Sequence, residues 1–184
     1  MMGTQHTRRR FVAVSAGIFF AGCVGDDDRP EPIALHGEKF CDQCGMLIEA
    51  HPGPVGQAYF ADDIPAGRDG PAWFCSGRCT FLYTFDREAQ GNDPVVIYAT
   101  DYSAVDWSVT TEDGQSFISA HLDAEAFTEV DELVFLVNSN LQGAMGTDLI
   151  GFSISADAQE ARATYGGVLY DGDEITPELV GTLS

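Results

Sequence analysis

Two cysteines and a methionine occur within six residues in the segment Cys41-Asp42-Gln43-Cys44-Gly45-Met46. Thiolate and thioether sulfurs are soft ligands, which select Cu(I), zinc or iron–sulfur clusters. Methionine beside the cysteines favours Cu(I), because zinc sites in proteins are built from cysteine, histidine and carboxylate ligands. The spacing predicts a tight turn over residues 40–45, so this short segment constrains both the local fold and the chemistry of the chain.

A second cysteine pair, Cys75 and Cys79, lies further along the chain. Apolar residues at helical spacing predict a helix over about 76–89, with Cys75 at its start and Cys79 one turn later. Together with Cys41 and Cys44, these residues supply four thiols, enough for a tetrahedral zinc site. In an exported protein the same cysteines also fit disulfides or a redox-active C-x-x-C pair, so these alternatives stay open beside copper.

One methionine in the second half of the chain, Met145, stands between small residues in a polar, glycine-rich segment over residues 138–148. It has no apolar neighbour at helix or strand spacing, which is unusual for a methionine of the core. The flanking glycines permit close approach of the backbone, as a metal-binding loop requires. Met145 is therefore a candidate soft ligand, and His121 is a secondary candidate.

The charge balance excludes one class of partner. The chain carries 29 acidic residues against nine basic ones, for a formal net charge of −20 over 184 residues. Nucleic-acid binding needs a basic face, and this composition does not supply one. An acidic surface with a single lysine, Lys39, is typical of proteins from high-salt environments, where ions screen the self-repulsion. We expect a halophilic, haloarchaeal-like source.

Residues 1–22 predict an export signal. Arg8-Arg9-Arg10-Phe11 precedes an apolar run that is too short to span a bilayer, which fits a twin-arginine signal peptide. Small residues directly before Cys23 resemble a lipobox, so we expect Cys23 to carry a lipid that anchors the protein to the outer face of the cell membrane. Residues 23–38 contain an acidic run and two prolines and are expected to form a flexible, unpacked tether.

Helix and strand patterns alternate over the remaining residues and predict an α+β fold with mixed or antiparallel sheets. We expect a first unit over residues 39–108, with both cysteine pairs, and a second over 109–184, with Met145. Besides the helix over 76–89, a helix from Ser155 to about Tyr165 and a short one starting at Pro177 are expected. Strands or extended segments are expected over residues 55–60, 72–74, 95–98, 102–108, 116–120, 133–137, 149–153 and 168–170.

Three segments of the chain resemble the NosL family, exported lipoproteins that accompany nitrous oxide reductase maturation. Residues 41–46 look like the family's C-x-x-C-G-M motif, and residues 143–152 are similar to its P-M-G-x-E-L segment. Residues 155–182 look like its closing helix–strand–helix pattern. Ala144 stands where the family often has proline, and many members lack cysteines at positions 75 and 79.

The resemblance implies two similar ββαβ units and a Cu(I) chaperone that delivers copper for nitrous oxide reductase maturation. Carried over by position, Cys44, Met46 and Met145 are the implied copper-site residues, and Cys41 is a candidate in the same turn. The implied partners are nitrous oxide reductase and an ABC-type maturation transporter. Transfer of copper would be stepwise ligand exchange, so the chain is not expected to be an enzyme.

Two other functions remain open from the sequence. Residues 74–79, taken with C-x-x-C-G-M, also resemble the small YHS and TRASH metal-binding modules, which implies a Zn(II)-binding structural or interaction module that uses all four cysteines. The other is an exported thiol–disulfide oxidoreductase that uses Cys41 and Cys44. In the copper hypothesis, Cys75 and Cys79 are secondary candidates for ligands, like His121.

Overall fold

The computed structural model describes residues 29–62, 64–65 and 67–183. The predicted signal peptide and the predicted lipidation site at Cys23 lie outside this range. No helix within it is long and apolar enough to cross a membrane. Its helices and strands, in chain order, are β1 (Gly56–Phe60), β2 (Ala72–Phe74), α1 (Gly77–Ala89), β3 (Pro94–Thr100), β4 (Val109–Glu112), β5 (Gln115–Ile118), β6 (Phe127–Glu129), β7 (Val134–Val137), β8 (Leu141–Gly143), β9 (Gly146–Thr147), β10 (Ile150–Phe152), α2 (Ser155–Tyr165), β11 (Val168–Asp171) and α3 (Pro177–Gly181).

Helix α1 begins at a polar cap and is followed by a glycine shortly after its last residue. The side chain of Ser76 accepts a hydrogen bond from the backbone N–H of Cys79 (2.9 Å), which satisfies one of the free donors of the first turn. Gly91 follows the last turn with a φ of +86°, a conformation that glycine adopts without steric cost. The helix packs on β1, β2 and β3, and this placement buries Cys79 in its first turn.

The two predicted ββαβ units are present and share one strand order. In the first, β1, β2 and β3 form an antiparallel sheet in the order β2-β1-β3, with α1 between β2 and β3 in sequence. In the second, β7, β10 and β11 form an antiparallel sheet in the order β10-β7-β11, with α2 between β10 and β11. The corresponding order confirms the α+β architecture expected from the sequence.

A third, small sheet connects the hairpin β4–β5 to the hairpin β8–β9 in the order β4-β5-β8-β9. Strands β5 and β8 pair in parallel, with Ser116 opposite Leu141. Residues 138–148, expected to be a loop, therefore contain a short hairpin with Ala144 and Met145 at its turn. The sequence pattern missed the hairpin because its strands are too short to show alternation and because one of them, β8, pairs with the distant strand β5.

Strand β6 pairs antiparallel with β3 and extends the first sheet, although it lies within residues 109–184, the range of the second unit expected from the sequence. Helix α3 also contacts α1 of the first unit. Elements from residues 109–184 therefore pack on the first unit. The boundary between residues 108 and 109 stays a prediction.

The last part of the predicted tether lies against the fold. Leu35 is fully buried, and its N–H donates to the carbonyl of Leu122 (2.7 Å). The hydroxyl groups of Tyr59 and Tyr98 donate to backbone carbonyls at residues 31 and 30 (2.8 and 2.9 Å). Prolines and charge predicted an unpacked segment, but a few apolar side chains and backbone hydrogen bonds dock residues 30–35 onto the first sheet.

Residues 102–108, expected to be extended, form a turn-rich segment without a strand. Their alternation comes from packing in the second half of the fold. Tyr102 is buried, and its ring and the Trp107 ring pack edge to face with centroids 6.1 Å apart. The apolar alternation in this segment therefore reflects two aromatic side chains that pack in a core, and not a β-strand.

Candidate metal centre

The C-x-x-C-G-M segment forms a tight turn closed by its own backbone. The N–H of Cys41 donates to the carbonyl of Met46, and the N–H of Gly45 donates to the carbonyl of Cys41, both at 2.8 Å. Gly45 has a φ of +77°, which favours glycine at this position. The turn holds Cys41 inside, 3% exposed, and leaves Cys44 at the surface.

A second part of the chain brings the other two cysteines to this turn. Cys75 directly follows β2, and Cys79 lies in the capped first turn of α1. Both side chains are buried. The strand and the helix are part of one packed unit, so the positions of these two thiols follow from the fold and not from a flexible loop.

The four cysteine sulfurs form one cluster. All four Sγ atoms lie within 4.8 Å of one another, with 3.4 Å between Cys44 and Cys75 and 4.0 Å between Cys75 and Cys79. A zinc ion about 2.3 Å from each of four sulfurs holds those sulfurs about 3.8 Å apart. The four cysteines are free thiols. Their separations therefore suit a single soft ion without rearrangement of the backbone.

The buried thiols influence one another's ionisation. Side-chain hydrogen bonds from Cys75 and Cys79 stabilise the thiolate of Cys41 and lower its pKa. Hydrogen bonds with Cys41 and Cys79, together with burial, raise the pKa of Cys75. The hydrogen bond with Cys41 is the main cause that raises the pKa of Cys79 to about 12. The cluster thus favours one thiolate held by neighbouring thiols, and binding of a soft metal ion releases the remaining protons.

The two methionines pack against the core that contains the buried cysteines. Met46 and Met145 are both half-buried and contact the cluster of side chains that includes Cys41, Cys75 and Cys79. Met46 follows the cysteine turn directly, whereas Met145 comes from the β8–β9 hairpin of the second half of the chain. The fold therefore brings the thioether of the distant hairpin to the same core as the thiols.

The β8–β9 hairpin is held there by a close contact between backbones. A Cβ atom built on Gly53, in the loop after the cysteine turn, would lie 2.3 Å from the Cα of Gly143. No side chain other than hydrogen fits between these segments. The contact joins the loop of the first unit to the strand that leads to Met145.

The secondary candidate His121 lies elsewhere and is not part of the four-cysteine cluster. Its Nε2 lies 3.0 Å from the hydroxyl of Ser119, and its ring packs against Tyr102. Burial lowers its pKa, which favours the neutral ring. His121 is thus half-buried and hydrogen-bonded, and its assignment as a secondary ligand stays a prediction.

Two residues that brace the cysteine turn, Arg68 and Trp73, were not identified from the sequence. The carboxylate of Asp42 accepts two hydrogen bonds from the guanidinium of Arg68 and one from the backbone N–H of Trp73 (2.9 Å). That guanidinium also lies 3.6 Å from the centroid of the Trp73 ring. The only local sequence signal of this arrangement is the acidic residue inside C-x-x-C. Its partners, Arg68 and Trp73, are identified only by the fold.

Comparison with known protein families shows the family to which this chain belongs. The NosL family matches residues 32–180, a range that contains the cysteine turn, the start of α1 and the β8–β9 hairpin. The chain belongs to the NosL family. The copper-binding lipoprotein NosL from Stutzerimonas stutzeri is 29% identical over 150 residues, which cover 82% of this chain and 68% of that protein.

A solved NosL structure has the same architecture. The crystal structure of the copper chaperone NosL from Shewanella denitrificans is 30% identical, with a TM-score of 0.65, and covers 82% of this chain and 99% of that chain. This likeness supports the α+β fold independently of the sequence pattern. The first of these relatives is described as a copper-binding lipoprotein and the second as a copper chaperone.

Proposed function

We propose that this chain is an exported, lipid-anchored Cu(I) chaperone that delivers copper for nitrous oxide reductase maturation. The observation that carries the proposal is the convergence of soft sulfur donors at one place in a NosL fold, with one thiol, Cys44, at the surface. A chaperone has to release its ion as well as bind it. An exposed thiol next to buried ones allows stepwise exchange of ligands with a recipient, without catalysis of a reaction.

We assign copper binding to Cys44, Met46 and Met145, with Cys41 as a further ligand. Thioether sulfur favours Cu(I) over zinc, and both methionines pack against the core that holds the thiols. Exposure of Cys44 suits the first contact with an incoming or departing ion. Cys41, whose pKa is lowered by its neighbours, is a thiolate donor on the inner side.

The recipient and the docking partner follow from the family resemblance. We propose nitrous oxide reductase as the recipient and an ABC-type maturation transporter as the partner at the membrane. A lipid on Cys23 would hold the chaperone at the outer face of the cell membrane, near such a transporter. Mass spectrometry of the membrane fraction tests the anchor, because an unmodified Cys23 in the mature protein would contradict it.

Salt dependence tests the halophilic source. With a formal net charge of −20, the folded chain repels itself, and salt screens that repulsion. We expect the midpoint of thermal unfolding to rise steadily as KCl increases from dilute buffer to molar concentrations. A midpoint that is already maximal in dilute buffer would contradict this expectation.

The geometry of the thiols favours a second candidate function, a zinc-binding structural or interaction module. The four Sγ atoms already have separations close to those of a four-cysteine zinc site. Such a site would use Cys75 and Cys79 as full ligands and would leave both methionines without a role. The two functions therefore predict opposite effects for substitutions in the two residue pairs.

Metal affinity after anaerobic purification separates the two functions. We expect Met46→Leu with Met145→Leu to lower Cu(I) affinity about 100-fold, because loss of a group that only hydrogen-bonds to a metal ligand already costs about 10- to 100-fold in metal sites. Leucine matches methionine in size, so the fold should persist and Zn(II) affinity should stay unchanged. The matched control is Cys75→Ser with Cys79→Ser, which removes two thiols and keeps both thioethers.

Each outcome of this comparison selects one function. Loss of Cu(I) binding in the methionine variant, with Cu(I) retained in the cysteine variant, supports the chaperone and the assigned ligands. Zinc binding that depends on all four cysteines and is indifferent to the methionines supports the module. A chain that binds neither metal but reduces disulfide substrates would support the oxidoreductase instead.

A further inference from the structure

One buried carboxylate lies between the Met145 hairpin and the helix that carries Cys79. Asp148 is 0% exposed and directly follows β9, the strand that comes after Met145. One of its oxygens, Oδ1, accepts hydrogen bonds from the backbone N–H groups of Arg78 (2.8 Å) and Leu149 (2.9 Å). The side chain thus caps the first turn of α1 from a distant part of the sequence, at the end where the helix dipole favours negative charge.

The other oxygen of Asp148, Oδ2, is buried and has no hydrogen-bond partner. It faces the backbone of the hairpin, because a Cβ atom built on Gly143 would lie 2.5 Å from it. A buried polar atom without a partner is costly, and such exceptions are rare in folded proteins. The carboxylate therefore needs an explanation beyond helix capping.

Asp148 is closely packed on both sides, against the start of α1 and against the β8–β9 hairpin. On the helix side, a Cβ on Gly77 would lie 3.1 Å from Oδ1 and 2.9 Å from the carbonyl oxygen of Leu149. On the hairpin side, Gly143 leaves room for Oδ2 in the same way. The carboxyl group of Asp148 therefore fits closely between the start of α1 and the hairpin, where two glycines leave room for it.

We propose that Asp148 is a positioning residue for metal binding, which locks the Met145 hairpin to the cysteine-bearing start of α1. The proposal rests on the proposed copper site, in which Met145 and the thiols share one ion. Without the lock, the hairpin can shift relative to the start of α1 and to Cys41 and Cys44, whose thiols cluster there with those of Cys75 and Cys79. Met145 then contributes little to binding. The contribution of Met145 to copper affinity therefore depends on Asp148.

A double-mutant cycle on the mature, metal-free protein tests this dependence. Cu(I) affinity is measured by competition with a chromophoric Cu(I) chelator for the parent, Met145→Leu, Asp148→Ala and the double variant. We expect Met145→Leu alone to lower affinity about tenfold or more, within the range seen for perturbed metal sites. In the Asp148→Ala background we expect the same substitution to change affinity less than about twofold, because the thioether is already displaced.

The conservative variant and a matched control isolate positioning from general loss of stability. Asp148→Asn keeps an oxygen that can accept a hydrogen bond from Arg78. In this background, Met145→Leu should again lower Cu(I) affinity nearly as much as in the parent. Asp101 is also a buried carboxylate, but it accepts hydrogen bonds from Ser103 and Ser153 (both 2.9 Å) and lies outside the cysteine cluster. Asp101→Ala should destabilise the fold, but Met145→Leu should lower Cu(I) affinity in this background as much as it does in the parent.

The results distinguish the positioning role from the copper site itself. Equal Met145→Leu effects in the parent and the Asp148→Ala background overturn the role of Asp148 and leave the copper site intact. No Met145→Leu effect in the parent overturns the copper assignment and this inference with it. Where Asp148→Ala folds too poorly to measure, Gly143→Ala presses on Oδ2 from the hairpin side and is expected to abolish the Met145 dependence in the same way.

Discussion

Replacing Gly53 with alanine is expected to lower the free energy of unfolding by about 3 kcal/mol, since backbone strain and overpacking each cost about 1–3 kcal/mol. Gly53 has a φ of +102°, where an L side chain is strained. The new Cβ would also lie 2.3 Å from the Cα of Gly143 and 3.2 Å from the N of Ala144. All of these neighbours are backbone atoms, so no flexible side chain can move aside.

The matched control for this variant is Gly91→Ala. Gly91 has a φ of +86°, but a Cβ there meets nothing within 4 Å. It isolates the cost of the left-handed backbone, about 1 kcal/mol. Urea denaturation of both variants in high salt measures the difference. Equal losses for Gly53→Ala and Gly91→Ala would mean that the contact with the β8–β9 hairpin does not hold the two units together.

The second large effect is a loss of stability as the pH rises, caused by Asp148. Burial raises the pKa of this carboxyl from 3.8 to about 7 in the folded chain, although hydrogen bonds from the backbone of Arg78 and Leu149 oppose the rise. The guanidinium of Arg78 also lowers this pKa, and Asp148 in turn contributes to the raised pKa of the buried Tyr102. The folded state therefore binds the proton more tightly than the unfolded chain does.

The sign of the effect follows from proton linkage. Because the pKa is raised in the folded state, the stabilisation is complete below about pH 4 and is lost as the pH rises toward 7. A pKa difference of about 3 corresponds to about 4 kcal/mol over this window. Above pH 7 the carboxylate is ionised in both states and the contribution stays constant.

Unfolding of the metal-free, reduced chain between pH 4 and pH 8 measures this contribution. Asp148→Asn does not titrate, so its free energy of unfolding should fall less steeply with pH than that of the parent. The difference between the two curves isolates Asp148 from the other acidic residues, which titrate in both proteins. Parallel curves would show that Asp148 ionises at an ordinary pKa.

Local sequence signals predicted the elements whose boundaries are set by neighbouring residues. Ser76 caps α1, Gly91 follows its last turn, and Pro177 begins α3, because these residues act on the backbone within one turn of their own position. The strand predicted over residues 133–137, where all side chains are apolar, forms as β7 over Val134–Val137. The two ββαβ units follow from the order of such elements along the chain.

Elements that depend on distant partners were not predictable in this way. The β8–β9 hairpin needs its parallel pairing with β5, and residues 30–35 need the first sheet to dock on. Residues 102–108 alternate like a strand because Tyr102 and Trp107 anchor a core, which no local pattern distinguishes from a sheet. In each case the deciding contact lies far away in sequence.

The same distinction between local signals and distant contacts applies to the candidate site. The sequence by itself determined the ligand chemistry: soft sulfur donors in a turn closed by Gly45 and in the first turn of a capped helix, since side-chain type and local backbone conformation are properties of short segments. Only the tertiary structure decided that Cys75 and Cys79 close on the cysteine turn and that Met145 packs against the same core. It also placed Asp148 between hairpin and helix. Those relations join residues that are far apart in the chain, and only burial and packing of the whole fold bring them together.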